Sequence, residues 1–292
     1  MVDHPTHDDP ALDSVVTWLR DATAPDPERL FGGAVRQSID EVLDGPRTGR
    51  WGFEQLEKTE KTYVGTKIEI VVRSALELER GPVLDLAIKG VPVDLKWAMG
   101  SQWQIPIEAL GEICLCIGGL KKMTQFQVGV VRCTEEHLNT GQNRDGKRTL
   151  SEAGRTAMLH LVDPSPLPPN FVAEMDPDLR AEIVDLPTMQ ARITALFQSL
   201  PYTAIPRNAV TTIARTTGDP MRRTRADSHA EDPLGDYAVL SAKYGNRLLE
   251  GLGRKPMEAD HFMSVPKADI QALPASARGA LPQAVRERFG LD

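Results

Sequence analysis

The first part of the chain carries apolar residues at helical spacing. Between residues 11 and 43 they recur at i, i+3 and i+4, and a proline-containing break at 24–28 interrupts the pattern. We predict two or three helices there. Residues 66–80 show the same periodicity and end at a Gly-Pro pair, which is typical of a helix C-terminus. The sequence therefore places Glu69 on a helix.

Two short runs of alternating apolar and polar residues follow, and a turn sequence separates them. They predict a β-hairpin with strands at 83–89 and 93–98, in which Pro92 is confined to the turn or to the start of a strand. We expect residues 90–91 to form the turn. The alternation then directs five apolar side chains into the core, namely Leu84, Leu86, Val93, Leu95 and Trp97.

Apolar runs continue beyond the hairpin. Residues 107–117 predict a helix or a strand, 126–131 predict a strand, and a helical stretch near 150–161 completes the first domain. The proline-rich sequence that follows cannot continue a helix and is typical of a stiff linker. We therefore predict a first domain at 1–162, a linker at 163–176 and a second domain at 177–292.

The second domain combines helical and strand patterns. Residues 189–200 and 205–217 predict two helices joined by a tight turn, which is typical of helix-turn-helix geometry, and Pro206 suits the first turn of the second helix. Short strand-like runs at 237–242 and 261–265 would form a small sheet or wing. We predict a winged-helix module, and a plain helical accessory domain fits the periodicity equally well.

Composition limits the classes of protein that this chain fits. Its 292 residues are 41% hydrophobic and 26% charged, which is the balance of a globular protein with a core. The net charge of −7 argues against a protein that coats nucleic acid nonspecifically, because phosphate neutralisation requires a surplus of Lys and Arg. No segment resembles a signal peptide or a membrane span, so we expect a cytoplasmic protein with no membrane partner.

The cysteines and histidines argue against two further classes. Cys114, Cys116 and Cys133 are too few for a disulfide framework and lack the partners of a zinc site, so buried core thiols are expected. The six histidines form no HExxH motif. A zinc hydrolase therefore has little support.

The hairpin brings two acids and a lysine together. With the turn at 90–91, Asp85 faces Lys96 across the hairpin and Asp94 lies on the same face. Neighbours on one face stand roughly 5 to 8 Å apart, so one divalent cation can bridge both carboxylates. Such a site favours phosphodiester hydrolysis assisted by Mg²⁺, with Lys96 orienting or deprotonating the attacking water. The spacing alone also fits a solvated strand face, which is the commoner case.

A helix that carries Glu69 precedes the hairpin, and this order reduces the weight of the solvated-face alternative. Helix, hairpin and acids in this order are typical of the PD-(D/E)XK nuclease core, in which such a glutamate joins the site. We therefore predict an α/β (α+β) restriction-endonuclease-like core, a mixed sheet flanked by helices, in the first domain. This would be the endonuclease domain, followed by the winged-helix or helix-turn-helix-like domain.

Four dense segments resemble the NaeI-like type II restriction endonucleases. They are LEKTEKTYVGTKIEI at 56–70, LDLAIKGVPVDLKWAM at 84–99, WQIPIEALGEICL at 103–115 and NRDGKRTLSEAGR at 143–155. Weaker similarity surrounds IPRNAVTTIA and GDPMRRTR. The resemblance spans most of the chain.

This resemblance implies a homodimeric, Mg²⁺-dependent enzyme that cuts both strands of a GC-rich palindrome in double-stranded DNA. The second domain would bind a second DNA copy as an effector. By motif position, Asp85, Asp94 and Lys96 would be catalytic and Glu69 an accessory carboxylate. The metal would be held by Asp85, Asp94 and the backbone carbonyl of Leu95.

Basic and polar residues provide candidates for DNA binding. They are Arg144, Lys147, Arg148, Arg207, Asn208, Thr211, Arg222, Arg223 and Arg225. Gly146 would allow the first three to approach DNA closely, whereas without the resemblance a solvated surface loop is favoured. Trp103 and Gln104 are expected near the site, although packing is the commoner role of a tryptophan.

Two other functions remain open from the sequence. A PD-(D/E)XK enzyme of DNA repair or structure-specific cleavage uses the same metal chemistry, so cleavage specificity must separate it. A noncatalytic DNA-binding regulator would bind strongly without divalent metal and would cut nothing. The presence of Asp85, Asp94 and Lys96 together argues against lost chemistry.

Overall fold

The computed structural model describes residues 9–81, 84–221, 224, 234–279, 283 and 286–287, except for the side chain of Tyr244. Contacts between residues divide the chain into two compact units. The first unit comprises the chain up to Val42 together with Leu56–Pro169, and the second comprises Leu43–Gln55 together with the chain from Asn170. The chain therefore passes between the units more than once.

The helices and strands are numbered in chain order. The helices are α1 (Pro10–Thr23), α2 (Pro27–Leu43), α3 (Gly45–Thr48), α4 (Lys58–Ala75), α5 (Glu152–Thr156), α6 (Phe171–Glu174), α7 (Pro177–Val184), α8 (Met189–Ser199), α9 (Arg207–Ala214), α10 (Ala242–Gly251), α11 (Lys267–Gln271) and α12 (Ala275–Arg278). The strands are β1 (Leu86–Ile88), β2 (Val91–Met99), β3 (Gln104–Ile105), β4 (Ile113–Leu120), β5 (Gln125–Arg132), β6 (Leu138–Gln142), β7 (Arg148–Leu150), β8 (Leu159–Pro166), β9 (Ile205–Pro206), β10 (Tyr237–Ser241) and β11 (His261–Pro266). Within the described part of the chain, no helix has the length and apolar content needed to cross a membrane.

Side chains cap the first turns of α1 and α4. The Asp9 carboxylate accepts a hydrogen bond from the backbone N–H of Leu12 at 3.0 Å. At α4 the Glu60 carboxylate accepts from the backbone N–H of Glu57 at 2.8 Å, as one half of a capping box. Because of this box, α4 begins at Lys58 rather than at residue 66, and it carries Glu69 as predicted.

The first unit contains a mixed five-stranded sheet with the order β1-β2-β4-β5-β8. β2 and β4 run parallel, and the other neighbouring strands are antiparallel. β4 and β5 are buried along almost their whole length, which explains their continuous apolar sequences. α1 packs against β5 and β8, and α4 packs against β2. A mixed sheet with flanking helices agrees with the predicted α+β core.

The β1–β2 hairpin differs from the prediction in register. Its turn is Lys89-Gly90, whose φ angles of +52° and +79° suit a two-residue hairpin turn. Leu86 consequently pairs with Val93, whereas the predicted position of Asp85 opposite Lys96 would place Leu86 opposite Leu95. The predicted register is therefore wrong by two residues. A shift of two keeps each side chain on its predicted face. Of the five apolar residues assigned to the core, Trp97 is partly exposed. The other four are buried, namely Leu84, Leu86, Val93 and Leu95.

A second sheet in the first unit has the order β3-β7-β6. Trp103 and Ile105 from this sheet region pack with Cys114 and Cys116 of β4 in one buried cluster. The Trp103 indole N–H donates to the carbonyl of Ile117 at 2.9 Å, which is the packing role expected of a tryptophan. All three cysteines are buried, as predicted for core thiols.

Three segments of the first unit fold differently from the prediction. A short 3₁₀ turn precedes β4, so only the second part of 107–117 is a strand. α5 is short, and β8 replaces the predicted helix from Leu159 onward. β8 continues to Pro166 and pairs with β5, so the sequence predicted as a linker from residue 163 begins inside the sheet. An edge strand tolerates these prolines because its outer side needs no N–H donors.

The second unit contains α3, α6 to α12 and a three-stranded antiparallel sheet with the order β10-β11-β9. α8, β10 and β11 occupy the positions that the sequence predicts. α9 is shorter than predicted, because Pro206 precedes it in β9 and Arg215 ends it in the left-handed conformation. The domain boundary also moves, since the units divide after Pro169 and residues 43–55 belong to the second unit.

Candidate active site

Asp94 and Lys96 lie on β2, and Asp85 precedes β1. The Asp85 Oδ2 atom accepts a hydrogen bond from the backbone N–H of Leu95 at 3.0 Å. This bond connects the Asp85 side chain to β2 at Leu95, the residue between Asp94 and Lys96. The two-residue hairpin turn and the alternation of β2 thus bring the three predicted side chains together.

The Lys96 ammonium lies among oxygen atoms of three groups. Its Nζ atom donates to Asp94 Oδ1 at 2.9 Å and lies 2.8 Å from Asp94 Oδ2. The Asp85 Oδ2 atom is 3.7 Å from the same nitrogen, and the carbonyl oxygen of Leu95 accepts from it at 3.3 Å. The single charge of Lys96 therefore interacts with both carboxylates and with a backbone carbonyl.

Burial and neighbouring charges set the protonation of Asp94 and Lys96. Asp94 is 4% exposed, and burial raises its pKa to about 6, while Lys96 opposes this shift and Asp85 adds to it. Burial disfavours the charged form of Lys96, but Asp94 and Asp85 outweigh it and raise the lysine pKa. Lys96 is therefore an ammonium at neutral pH, which suits stabilisation of negative charge better than removal of a proton from water.

Glu69 approaches the same site from α4. Burial and, to a smaller extent, the negative charge of Asp85 raise the pKa of Glu69 to about 7, and the positive charge of Lys96 opposes this shift. The glutamate is thus within electrostatic range of the hairpin residues but outside a common ligand shell. Among the described residues, no group of three or more His, Cys, Asp and Glu side chains is arranged to hold a metal ion.

The oxygen atoms around Lys96 fit a divalent ion that prefers oxygen ligands. Asp85, Asp94 and the Leu95 carbonyl already surround a cation, the Lys96 ammonium. Glu69 is a third carboxylate within electrostatic range of this ammonium, and Arg73 is a further positive charge that acts on Glu69. The two aspartates and the Leu95 carbonyl are the groups that would hold a metal ion.

Cys114 is a neighbour of the site that the sequence does not predict. β4 runs parallel to β2 and places Cys114 beside Asp94. The Cys114 Sγ atom lies 3.9 Å from Asp94 Oδ2, within reach of a weak hydrogen bond. Cys133 and burial raise the Cys114 pKa well above its ordinary value, so the donor is a neutral thiol. The position of Cys114 beside Asp94 follows only from the pairing of β2 with β4, which no local sequence pattern specifies.

The predicted DNA-contacting loop is the turn between β6 and β7. Arg144 is exposed and Lys147 is partly exposed. The Arg148 guanidinium instead bonds within the protein, to the carbonyl of Asn139 at 2.7 Å and to the Glu135 carboxylate. Arg148 therefore holds the small sheet together, and a DNA contact by Arg144 and Lys147 stays a prediction.

Three DNA-binding candidates in the second unit lie on α9. The Arg207 guanidinium is 3.4 Å from the carboxylates of Asp219 and Asp260. The Thr211 hydroxyl donates to the carbonyls of Arg207 and Asn208, and the Asn208 side chain is exposed. Three further candidates lie outside the described residues, namely Arg222, Arg223 and Arg225.

Comparisons with known proteins agree with the chemistry of this site. The family model for restriction endonuclease NaeI matches residues 14–268 of the chain. The type II restriction enzyme NaeI of Lentzea aerocolonigenes is 35% identical over 224 residues, which cover 74% of this chain and 70% of that enzyme. Type II restriction endonucleases generally use a divalent metal ion. The chain therefore belongs to the restriction endonuclease NaeI family, a family of site-specific deoxyribonucleases.

Proposed function

We propose that this protein is a Mg²⁺-dependent type II restriction endonuclease that cuts both strands of a short, GC-rich palindromic DNA site. Asp85, Asp94, Lys96 and Glu69 would carry the reaction. The observation that supports this proposal is the Lys96 ammonium held among two carboxylates and the Leu95 carbonyl. Such a site can bind a cation and also present positive charge to an anionic phosphodiester.

Each residue of the site has a distinct role in this proposal. A divalent ion held at Asp85 and Asp94 would supply positive charge to the phosphoryl oxygens and lower the pKa of nearby water. Lys96 stabilises the negative charge that develops on the attacked phosphate. Glu69, whose pKa is about 7, is partly ionised near neutral pH and can accept the proton of the attacking water. The Leu95 N–H fixes the orientation of Asp85.

We also infer that the protein acts as a homodimer. The twofold axis of a symmetric dimer matches the twofold symmetry of a palindrome, so that each of two active sites can cut one strand. The cytoplasmic location that the sequence suggests stays a prediction.

For the second unit we propose a winged-helix-like domain that binds a second DNA copy as an effector. α8 and α9 are successive packed helices, and a small antiparallel sheet accompanies them in the same unit. Its candidate contacts lie on α9 and are Arg207, Asn208 and Thr211. If this is correct, a plasmid with two sites is cut faster than a plasmid with one, and short duplexes carrying the site accelerate the cutting of the second plasmid.

The direct test is digestion of unmethylated plasmid and genomic DNA with purified protein and MgCl₂, followed by sequencing of the fragment ends. Discrete fragments with one shared end sequence are expected. Asp94→Ala should cut the same DNA far more slowly, whereas Asp163→Ala removes an exposed carboxylate on β8 and should cut normally. Structure-dependent nicks would favour a repair enzyme, and binding without any cutting would favour a regulator.

A further inference from the structure

Asn143 fixes the conformation of the β6–β7 turn. Its Oδ1 atom accepts hydrogen bonds from the backbone N–H groups of Asp145 and Lys147, both at 2.9 Å. The backbone N–H of Asn143 also bonds to the carbonyl of Lys147, and Gly146 completes the turn with a φ of +74°. The side-chain oxygen therefore faces two donors, and the NH₂ group of Asn143 must point the other way.

This NH₂ group fixes a second amide. Asn143 Nδ2 donates to Oε1 of Gln104 at 3.1 Å, and Gln104 is exposed on β3. The acceptor oxygen of Gln104 is thereby held on the Asn143 side. Within the described part of the chain, no acceptor bonds the Gln104 NH₂ group. Gln104 consequently offers two N–H donors to a ligand, while its oxygen is engaged.

β3 holds Gln104 in a rigid position near the active-site strand. The preceding residue, Trp103, is 1% exposed and is anchored by its bond to the carbonyl of Ile117 on β4. Trp103 packs in one cluster with Ala98, which lies on the same face of β2 as Lys96. The backbone of Gln104 is also paired with β7. A side chain supported in this way can discriminate between bases, because its position is fixed before DNA binds.

We propose that Gln104 determines sequence specificity by reading a guanine in the major groove, and that Asn143 is its positioning residue. An unconstrained glutamine pairs best with adenine, accepting from N6 and donating to N7. Because its oxygen is turned toward Asn143, Gln104 presents its NH₂ group, a pair of donors, to DNA. Guanine presents two adjacent acceptors, O6 and N7, whereas cytosine presents a donor and thymine a single acceptor beside a methyl group. This inference rests on the proposed cleavage of a defined DNA sequence.

The test uses the full-length protein and a library of randomised DNA duplexes. Two readouts are taken for each variant: the sequences at cut ends with MgCl₂, and the sequences retained by binding in EDTA. The wild-type protein should require guanine at the position that Gln104 contacts. Gln104→Leu should relax the preference at that one position by about 10-fold or more, with the other positions unchanged. Gln142→Leu removes an exposed amide from β6 and is the matched control.

Asn143→Asp gives the sharper result, because it keeps the turn and reverses the neighbouring amide. Its carboxylate can still accept from Asp145 and Lys147, but it cannot donate to the Gln104 oxygen. Gln104 should therefore turn its NH₂ group toward residue 143 and present its oxygen to DNA. The preference at that position should then shift from guanine to adenine or cytosine, which present N–H donors.

Several results would overturn the proposal while leaving the nuclease function intact. These are a uniform loss of activity on all sequences in Gln104→Leu, an unchanged guanine preference in Asn143→Asp, or no guanine preference in the wild-type protein. If the wild-type protein cuts no DNA with MgCl₂, the proposed function fails instead, and the bound sequences still decide the role of Gln104. Thermal melting of each variant confirms that the fold is retained.

Discussion

At the scale of single residues, the main feature of the site is a buried carboxylate, Asp94, whose negative charge the neighbouring ammonium stabilises only in part. Asp94 is almost inaccessible, and the charged groups that act on it are one ammonium, Lys96, and a second carboxylate, Asp85. Burial therefore raises the Asp94 pKa to about 6. A cation that joins this site gains more than it would at an exposed aspartate, since it relieves a repulsion that the fold already contains.

Asp94→Ala should lower the rate of DNA cleavage by at least about 100-fold, because it removes an oxygen ligand and the main partner of Lys96. DNA affinity measured by fluorescence anisotropy in EDTA should stay largely intact, because phosphate contacts from other residues supply it. Undiminished cutting by this variant would contradict the active-site assignment.

Glu69 should make the free energy of unfolding depend on pH. Its pKa is 4.5 in ordinary surroundings and about 7 in the fold, where burial and then Asp85 raise it. The folded state thus binds the proton of Glu69 more tightly than the unfolded chain does. Protonation of Glu69 therefore contributes fully to the free energy of unfolding below pH 4.5, and this contribution is lost as the pH rises through 7.

Glu69→Gln removes this dependence, because the amide stays uncharged. In EDTA at about pH 8 the variant should be more stable than wild type by about 1 kcal/mol, a value reduced for the partial exposure of the side chain to solvent. At about pH 4.5 the difference should nearly vanish. Urea unfolding at both pH values measures it, and an equal difference at the two would refute the proposed burial of the glutamate.

The site residues could be predicted from sequence because strand alternation tolerates an error in the turn. Asp94 and Lys96 share a face because they are two residues apart on β2, and a register error of two residues still places Asp85 on that face. An error of one residue would have placed Asp85 on the opposite face. Cys114 and the Gln104–Asn143 pair could not be predicted. They depend on strand pairings across long sequence separations, which no local pattern encodes.

At the scale of secondary-structure elements, single side chains fix how helices sit on their neighbours. Asp9 caps α1 and also binds Arg132 at the end of β5, with Arg132 Nη2 donating to Asp9 Oδ1 at 2.9 Å. The bond with Arg132 lowers the pKa of Asp9. The ion pair between Asp9 and Arg132 therefore stabilises the folded state at pH values above the ordinary pKa of an aspartate, and this stabilisation is lost as the pH falls.

Two substitutions separate the cap from the ion pair. Asp9→Ala should lower the free energy of unfolding by about 1 kcal/mol, because it removes both interactions. Asp9→Asn keeps a good cap and loses only the charge, so its effect should be smaller and should fade in high salt. Chemical unfolding at low and high salt provides the measurement. Equal effects of both substitutions would show that the cap contributes nothing.

Arg192 has the corresponding role in the second unit. Its buried guanidinium donates to the carbonyls of Ile213 and Ala214 at the end of α9, at 2.8 and 2.9 Å, and to the carbonyl of Leu186 at 2.9 Å. Arg192→Met should lower the free energy of unfolding by about 2 kcal/mol, because these carbonyls lose their donors. Arg192→Lys should recover part of that loss. A change below about 0.5 kcal/mol in Arg192→Met would argue against this role.

Element boundaries were less predictable than element types, and the reasons are specific. The capping box at Glu57 extends α4 toward its N-terminus beyond the apolar stripe that periodicity detects. The prolines at 164 and 166 indicate a linker locally, yet an edge position lets them belong to β8. In both cases information from outside the hydrophobic pattern decided the boundary.

At the scale of the whole molecule, the two units are interleaved along the chain rather than consecutive. The segment 43–55 belongs to the second unit, where α3 packs against α9. Arg180 stacks on the ring of Trp51 at 5.1 Å, and a side chain at Gly45 would overlap Thr212. A single boundary drawn at a proline-rich sequence cannot represent this arrangement, because the returning segment has no compositional signal.

The interleaving predicts that residues 170–292 alone fold poorly. Without 43–55, the face of α9 that contacts α3 is exposed and Arg180 loses its aromatic partner. A second fragment, in which 43–55 is joined to residue 170 by a flexible Gly/Ser linker of about 15 residues, should melt cooperatively and at a higher temperature. The matched control carries the same linker with the residues of 43–55 in scrambled order. Circular dichroism melting compares the three fragments. If the fragment without 43–55 melts at the same temperature as the one that contains it, this segment is not an integral part of the second unit.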